Sequence, residues 1–500
     1  MGERQPWKLL EFIPSTGWRL AIGRDTVGGQ CCLYRLSITR QRPRQRGRSA
    51  SRRATSPFPE FRAMATGEPS SSTTAPTPRT LDTPLHGAGM VLPPLNEAER
   101  EPIPVHDPHW ASQPDADKPR VLPFDSLRFG GPVVRRVHTD EVRGERAWRM
   151  YYYGRSVDFH DQRVCPLPTG SVGVAESDDG LVWRRVRGME RGGAVLAPNL
   201  ENWWCFDSQH VGVGDVQWLS STKVRGACGA YFMYYFGGDA EAVSLPAMGG
   251  SGDARTVRGL RMRVGVAVSK DGLHWSRLEG ACPNGAVLDV GGAGAFDALY
   301  CGWPAVVQRP SDGMYLLYYH ALDLRTSRFA VGVALSADGL RWHRRSPPEP
   351  VLSGSAAGSG AFDERGVGTR SVIVLDEAQR EHVAQWLDGM APQLVMFAEG
   401  VDSRGRHSIG LYASEDGFVW RSMRSDGQPV LAPAADPHHW DAGSVGTPCA
   451  VIMDDLTVRL YYVGFEKTPA DPTLTSRSCI GLAVSDGTDW RRPFRRHQLS

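Results

Sequence analysis

Five times along its 500 residues the chain writes nearly the same phrase. The copies are VGVAESDDGLVWRRV (172–186), VGVAVSKDGLHWSRL (264–278), VGVALSADGLRWHRR (331–345), IGLYASEDGFVWRSM (409–423) and IGLAVSDGTDWRRPF (480–494). Self-similarity at a roughly constant period marks a repeat architecture. Asp-Gly between two apolar runs is a strong hairpin signal, because glycine takes the positive φ that such a turn demands. The tryptophans of the five copies, 183, 275, 342, 420 and 490, are 92, 67, 78 and 70 residues apart, so a fixed core carries loops of variable length. A ring at that place can cover the gap between neighbouring sheets.

Around each phrase a larger unit recurs. An aromatic-Asp pair opens it and an apolar strand with Gly or Pro follows. Next come an aromatic strand (MYYYG, FMYYFG, LLYYHA, VMFAEG, LYYVG), the Val/Ile-Gly strand, the Asp-Gly turn and the Trp strand. Four short β-rich runs bounded by turn residues read as a four-stranded sheet. One such sheet cannot bury both faces alone, whereas five packed radially leave only short, protected edges. The predicted fold is therefore all-β: a five-bladed β-propeller of four-stranded antiparallel blades over 119–500, the blades near 122–190, 204–280, 294–346, 360–424 and 438–496.

The opening pairs, at Asp125, Asp207, Asp297, Asp363 and Asp441, should stand near one mouth of the central channel, since the first strand of each blade lines it. The second strand runs back, so its end lies on the same face. There the chain places Tyr153, Phe236, His320, Glu399 and Val463, a position that varies where its neighbours do not. Clustered carboxylates raise one another's pKa, which yields a protonated acid and an ionised base from similar residues. Against this, a residue repeated five times is more often architectural, and Asp after an aromatic can cap its own turn. The odd ones out are therefore the sharper candidates: Glu364, Glu399, His320 and Arg370, which replaces the Pro found at this point in blades one, three and five. Trp203, Trp204 and Trp303 lie in or beside the opening loops, where sugars stack on such rings, although Trp is also a good blade packer. Glu176 stands where other blades have Val or Leu and is assigned no role. In DPHHW (436–440) two histidines could hold a central cation, though two adjacent His on a loop are a weak metal signal. No cofactor is otherwise implied.

The S-x-D-G-x-x-W turns, the YYxG strands and the acid at the head of each first strand resemble the arabinanase/levansucrase/invertase superfamily, above all the family 43 glycoside hydrolases. The resemblance covers all five repeats. It implies cleavage of glycosidic bonds, with Asp125 as base, Asp207 as the pKa-tuning residue and Asp297 as acid. The last is a departure, because the family uses Glu there; Glu364 and Glu399 are the nearest substitutes, and both belong to blade four. Phosphorylases of a related five-bladed family use Asp as proton donor, which fits Asp297 better. The invertase-type motifs WMNDPNG, RDP and EC are absent. The mechanism so implied passes through an oxocarbenium-like transition state, with one carboxylic acid protonating the leaving oxygen and one carboxylate activating water, as in an inverting site.

Charge and composition confine the rest. The net charge of +2 hides a basic start: residues 1–63 carry 13 Lys or Arg and 4 Asp or Glu. The Arg- and Ser-rich run 40–53 reads as an organelle transit segment, the chloroplast being one destination; a cytoplasmic protein with an over-extended start, Met64 being a second one, is the alternative. Residues 64–118, rich in Pro, Ser and Thr, read as disordered linker. Nine scattered cysteines without CxxC spacing suit a reducing compartment. No apolar run reaches membrane-spanning length, and nucleic acid binding through 40–53 is not expected. Two functions remain: a glycoside hydrolase or phosphorylase, or a non-catalytic propeller that binds a saccharide or a protein partner.

Overall fold

The computed structural model describes residues 9–10, 20–21, 87–105 and 118–498, except 141–144, 160–163, 166, 221–228, 246–254, 388 and 468–476. The run 40–53 and most of the expected linker lie outside the described residues.

Five antiparallel sheets follow one another along the chain, each in simple sequence order. Their first strands are Arg128–Asp140, His210–Ser220, Gly302–Gln308, Val367–Val374 and Ser444–Ile452. Their fourth strands, Arg184–Val186, Ser276–Leu278, His343–Arg344, Arg421–Ser422 and Arg495–Arg496, are two or three residues long, as protected outer edges should be. All five blades fall inside the expected spans. Among the described residues one α-helix, α1 (Glu377–Ala384), sits within blade four and is N-capped by Asp376.

The repeated phrase builds the turn between strands three and four. In blade one Ser177 Oγ donates to Asp179 Oδ1 and accepts from Gly180 N, while Asp179 Oδ1 also accepts from the Leu181 and Val182 amides. Blades two, three and four repeat this with Ser269/Asp271, Ser336/Asp338 and Ser414/Asp416. Gly180, Gly272, Gly339 and Gly417 take φ of 74–80°, which explains the invariant Asp-Gly.

The doubled tyrosine of strand two divides its labour by the twofold alternation of a strand. The first ring meets the next blade. Tyr151, Tyr234, Tyr318 and Tyr461 lie edge-on to Trp275, Trp342, Trp420 and Trp183, at 5.7–6.0 Å between centroids. Their hydroxyls donate to the carbonyls of Gly272, Gly339, Gly417 and Gly180, at 2.7–3.1 Å. The last of these pairs joins blade five to blade one.

A second repeated segment follows each Trp strand: AVLAP, AVLDV, PVLSG and PVLAP. Its Leu bridges the third strand of the blade just completed, as Leu196 to Val172, Leu288 to Val264, Leu352 to Val331 and Leu431 to Ile409. In blade five a segment from the other end of the propeller takes this place. Met90–Leu92, in MVLPP, pairs antiparallel with Ile480 and Gly481 instead. This departs from the expected linker: residues 87–105 are ordered against the propeller because Val91, Leu92 and Leu95 are buried in it. A strand that precedes all five blades in sequence thereby completes the last one.

Candidate functional site

The five repeat aspartates do not present free carboxylates to the channel. Each is nearly fully buried and accepts a hydrogen bond from a tyrosine of its own blade. Tyr152, Tyr235, Tyr319 and Tyr462, the second rings of strand two, donate to Asp125, Asp207, Asp297 and Asp441 at 2.7–3.0 Å. In those four blades a fourth-strand arginine donates through Nε to the same carboxylate: Arg185, Arg277, Arg344 and Arg496, at 2.7–2.9 Å. The same guanidinium reaches back to the preceding blade's capping segment, at the carbonyls of Pro93, Ala197, Asp289 and Ala432. The aspartates are thus centres of Asp–Tyr–Arg struts that hold one blade together and tie it to the last. Blade four departs. Ala398 stands in place of the second Tyr and Ser422 in place of the Arg, and Tyr412 of strand three supplies a hydroxyl to Asp363 at 2.6 Å.

The residues at the end of strand two do converge. Tyr153 and Phe236 meet edge to face at 6.2 Å, Phe236 lies 4.4 Å from Trp303, and Trp303 lies 5.4 Å from His320. Trp303 Nε1 donates to the Tyr153 hydroxyl at 3.2 Å, and Tyr300 stands 3.4 Å from His320 Nε2. Glu399 closes the group. Its Oε1 lies 2.5 Å from His407 Nδ1, and its Oε2 accepts from the Thr369 hydroxyl and, at 2.9 Å, from the Thr447 amide. Arg370 donates to the Trp303 carbonyl. Blades one to five each contribute to this axial cluster; blade five gives Thr447.

Burial sets its electrostatics. Desolvation would raise the Glu399 carboxyl, but the bonds from His407, Thr369 and Thr447 prevail and hold it below the usual range, so it is ionised at neutral pH. Desolvation, with Arg370 nearby, depresses His320 to about 3, so it is neutral. A folded-state pKa below the unfolded value of about 6.5 means that the unfolded chain takes up the proton first, so stability falls as pH drops below that value. Between pH 6.5 and 5 this one residue should withdraw about 2 kcal/mol, at 1.36 kcal/mol per pH unit. Urea unfolding of wild type and His320→Gln at the two pH values checks it; equal losses in both proteins would refute the assignment.

The backbone under the cluster is strained. All five innermost strands carry a register shift near one corresponding place, and in blades one, three and five Gly131, Trp303 and Thr447 take φ of 63°, 47° and 43° there. For a β-branched or bulky residue this is a genuine outlier, and such outliers gather at functional sites.

Of the expected residues, Glu399, His320, Arg370 and Trp303 share this cluster. Asp125, Asp207, Asp297, Asp363 and Asp441 sit in the blades' own bonding. Glu364 accepts from the amides of Gly358 and Gly360 in its loop. Trp203 is exposed and meets Trp204 edge-on at 6.3 Å. Its loop, through Asn199, Leu200 and Glu201, lines a cleft of about 280 Å³ that also includes Phe124, Glu190 and Arg277. His439 of DPHHW lies 2.6 Å from Asp441 Oδ1, and His438 is exposed. Glu176 pairs with Arg149. Thr369, Thr447, His407 and Tyr300 were not foreseen. The signal for the two threonines was present, in VGTR and VGTP, aligned with CGWP around Trp303.

No family model matches the chain, and no curated protein matches it. Among solved structures it is similar to an N-acetylgalactosamine deacetylase from F. plautii in complex with blood group B trisaccharide (TM-score 0.46, 16% identity, 77% of this chain and 94% of that one). It is also similar to a thermostable family-43 glycoside hydrolase (0.43, 15%, 72% and 91%) and to fructan 1-exohydrolase IIa from Cichorium intybus in complex with 1-kestose (0.45, 13%, 73% and 57%). At such identities the likeness concerns fold alone. The chain is a five-bladed β-propeller of four-stranded antiparallel blades, the architecture that its resemblance to the family 43 glycoside hydrolases implies.

Proposed function

We propose that the chain takes a saccharide at the axial cluster, as a glycoside hydrolase-like propeller. One observation carries this reading. Five buried polar atoms there, His320 Nδ1, Arg370 Nε and Nη1, His407 Nε2 and Thr447 Oγ1, have no hydrogen-bond partner among the described residues. Buried polar groups are otherwise almost always paired, so a concentration of unpaired ones calls for a ligand or ordered water. Donors and acceptors beside aromatic rings and one carboxylate match the hydroxyls and apolar faces of a sugar.

Hydrolysis needs an acid and a base. Glu399, ionised, suits the base or the stabiliser of an oxocarbenium-like cation. The proton donor has to come from elsewhere. The struts engage four of the repeat aspartates and Tyr412 engages Asp363, and this favours a second reading, saccharide binding without turnover. Chloroplast targeting, an inverting course and phosphorolysis remain proposals attached to the first reading.

Titration of the protein with a monosaccharide and oligosaccharide panel, beside an aryl-glycoside turnover assay, tests both. Binding with turnover that Glu399→Gln lowers at least about a hundredfold, in line with the loss of a general base, establishes the first. Binding without turnover establishes the second. No binding by any saccharide overturns both.

A further inference from the structure

Arg370 differs from the strut arginines, and from Arg155, which is also buried without a carboxylate but has Nε and Nη2 taken by the Thr169 and Cys165 carbonyls. Arg185, Arg277, Arg344 and Arg496 each meet an aspartate. Arg370 has no carboxylate within ion-pair distance among the described residues, although only 6% of its surface is exposed. Its Nη2 donates to the Trp303 carbonyl, while Nε and Nη1 are unpaired. The acid that acts on it, Glu399, has both oxygens engaged by His407, Thr369 and Thr447. Its place in the innermost strand is held by Pro132, Pro304 and Pro448 in blades one, three and five, so the fold does not require a cation there.

A buried charge without a counter-charge is costly. The cost is visible in the guanidinium itself, which burial depresses to about 9. Nη2 has two N–H bonds and spends one on Trp303, so its other N–H and one idle neighbouring nitrogen can form a single bidentate edge, which matches an oxyanion above other partners. The Thr447 hydroxyl, also unpaired, is a further donor.

We infer that Arg370 receives an oxyanion group of the ligand, the carboxylate of an acidic sugar or a phosphate, so that the axial site selects acidic over neutral saccharides. This rests on the axial cluster being the saccharide site. Both oxygens of Glu399 are bonded to His407 and the two threonines, which leaves Nε and Nη1 of Arg370 for the ligand.

The test is calorimetric titration of the whole chain, at constant ionic strength, with galacturonate, glucuronate, glucose 6-phosphate, inorganic phosphate, glucose and arabinose. The acidic ligands should bind at least tenfold more tightly than the neutral sugars. Arg370→Gln should lose that preference and Arg370→Lys should keep part of it. Tight binding of the uronates identifies the carboxylate as the source, and tight binding of inorganic phosphate alone identifies phosphate. Equal affinity for glucose, glucuronate and glucose 6-phosphate in the wild-type protein overturns the inference while leaving the saccharide reading standing, and needs no variant to fold. A preference that survives in Arg370→Gln also overturns it. Phosphate binding with no saccharide binding overturns the saccharide reading and keeps Arg370 as the oxyanion site. No binding by any of these ligands overturns both.

Discussion

A chain that begins at Asn96 should unfold far more easily than one that begins at Met64, although they differ by only 32 residues. The shorter chain lacks Met90–Leu92 and leaves the third strand of blade five without its cap. Val91 and Leu92 are then lost, and both are buried. At about 1.5–3 kcal/mol for each large side chain withdrawn from water, these two amount to about 3–6 kcal/mol. The polar losses add to this: Leu482 N donates to the Gly89 carbonyl at 2.6 Å, Trp440 Nε1 to Ala88 at 2.9 Å and Arg185 Nη2 to Pro93 at 2.6 Å. Whole domains are stable by only about 5–15 kcal/mol, so the shorter chain is expected to be partly unfolded at room temperature or to melt about 5–10 °C lower. Leu92→Asp in the longer chain should reproduce most of the loss, because it buries an unpaired charge at the same contact. Thermal melts of the three proteins within about 1 °C of one another would show that the ring closes without this strand.

That closing strand also shows where the sequence was legible. The Asp-Gly turns and the Trp positions impose local geometry, so reading them gave five blades with the right boundaries. The MVLPP segment is local only to residues 80–95. Its meaning depends on a partner nearly 400 residues away, and its four relatives become visible as a series only once the third strands they cover are known. Side-chain direction was a different obstacle. The aspartates precede the first strands, so alternation along the strand does not say which way they point; the Tyr and Arg that hold them lie 20–70 residues further on. Departures from the repeat were the better guide to the axis. Glu399, His320 and Arg370 were found because each breaks a pattern, whereas Thr369 and Thr447 escaped because they resemble each other.

The struts give the second large effect. Asp297→Ala should cost about 3–5 kcal/mol, the range expected when one partner of a buried ion pair is removed and the other is left uncompensated. Asp297 is fully buried, and its loss strands both the Arg344 guanidinium and the Tyr319 hydroxyl. Asp363→Ala should cost less, about 1–3 kcal/mol, since only the neutral Tyr412 hydroxyl is orphaned and no arginine stands opposite. Residual exposure of Arg344 lets water relieve part of its charge, so the lower half of the first range is expected. Denaturant unfolding of the two variants measures the difference. The same pair separates architecture from chemistry. If Asp297 donates a proton to a substrate, Asp297→Asn retains the fold and abolishes turnover; if it anchors a strut, the variant loses stability and any surviving saccharide binding at the axis keeps its affinity. Equal stability losses at 297 and 363 would mean that the arginines contribute nothing, and the ion-paired strut would then be an accident of proximity rather than the reason the aromatic-Asp pair recurs five times.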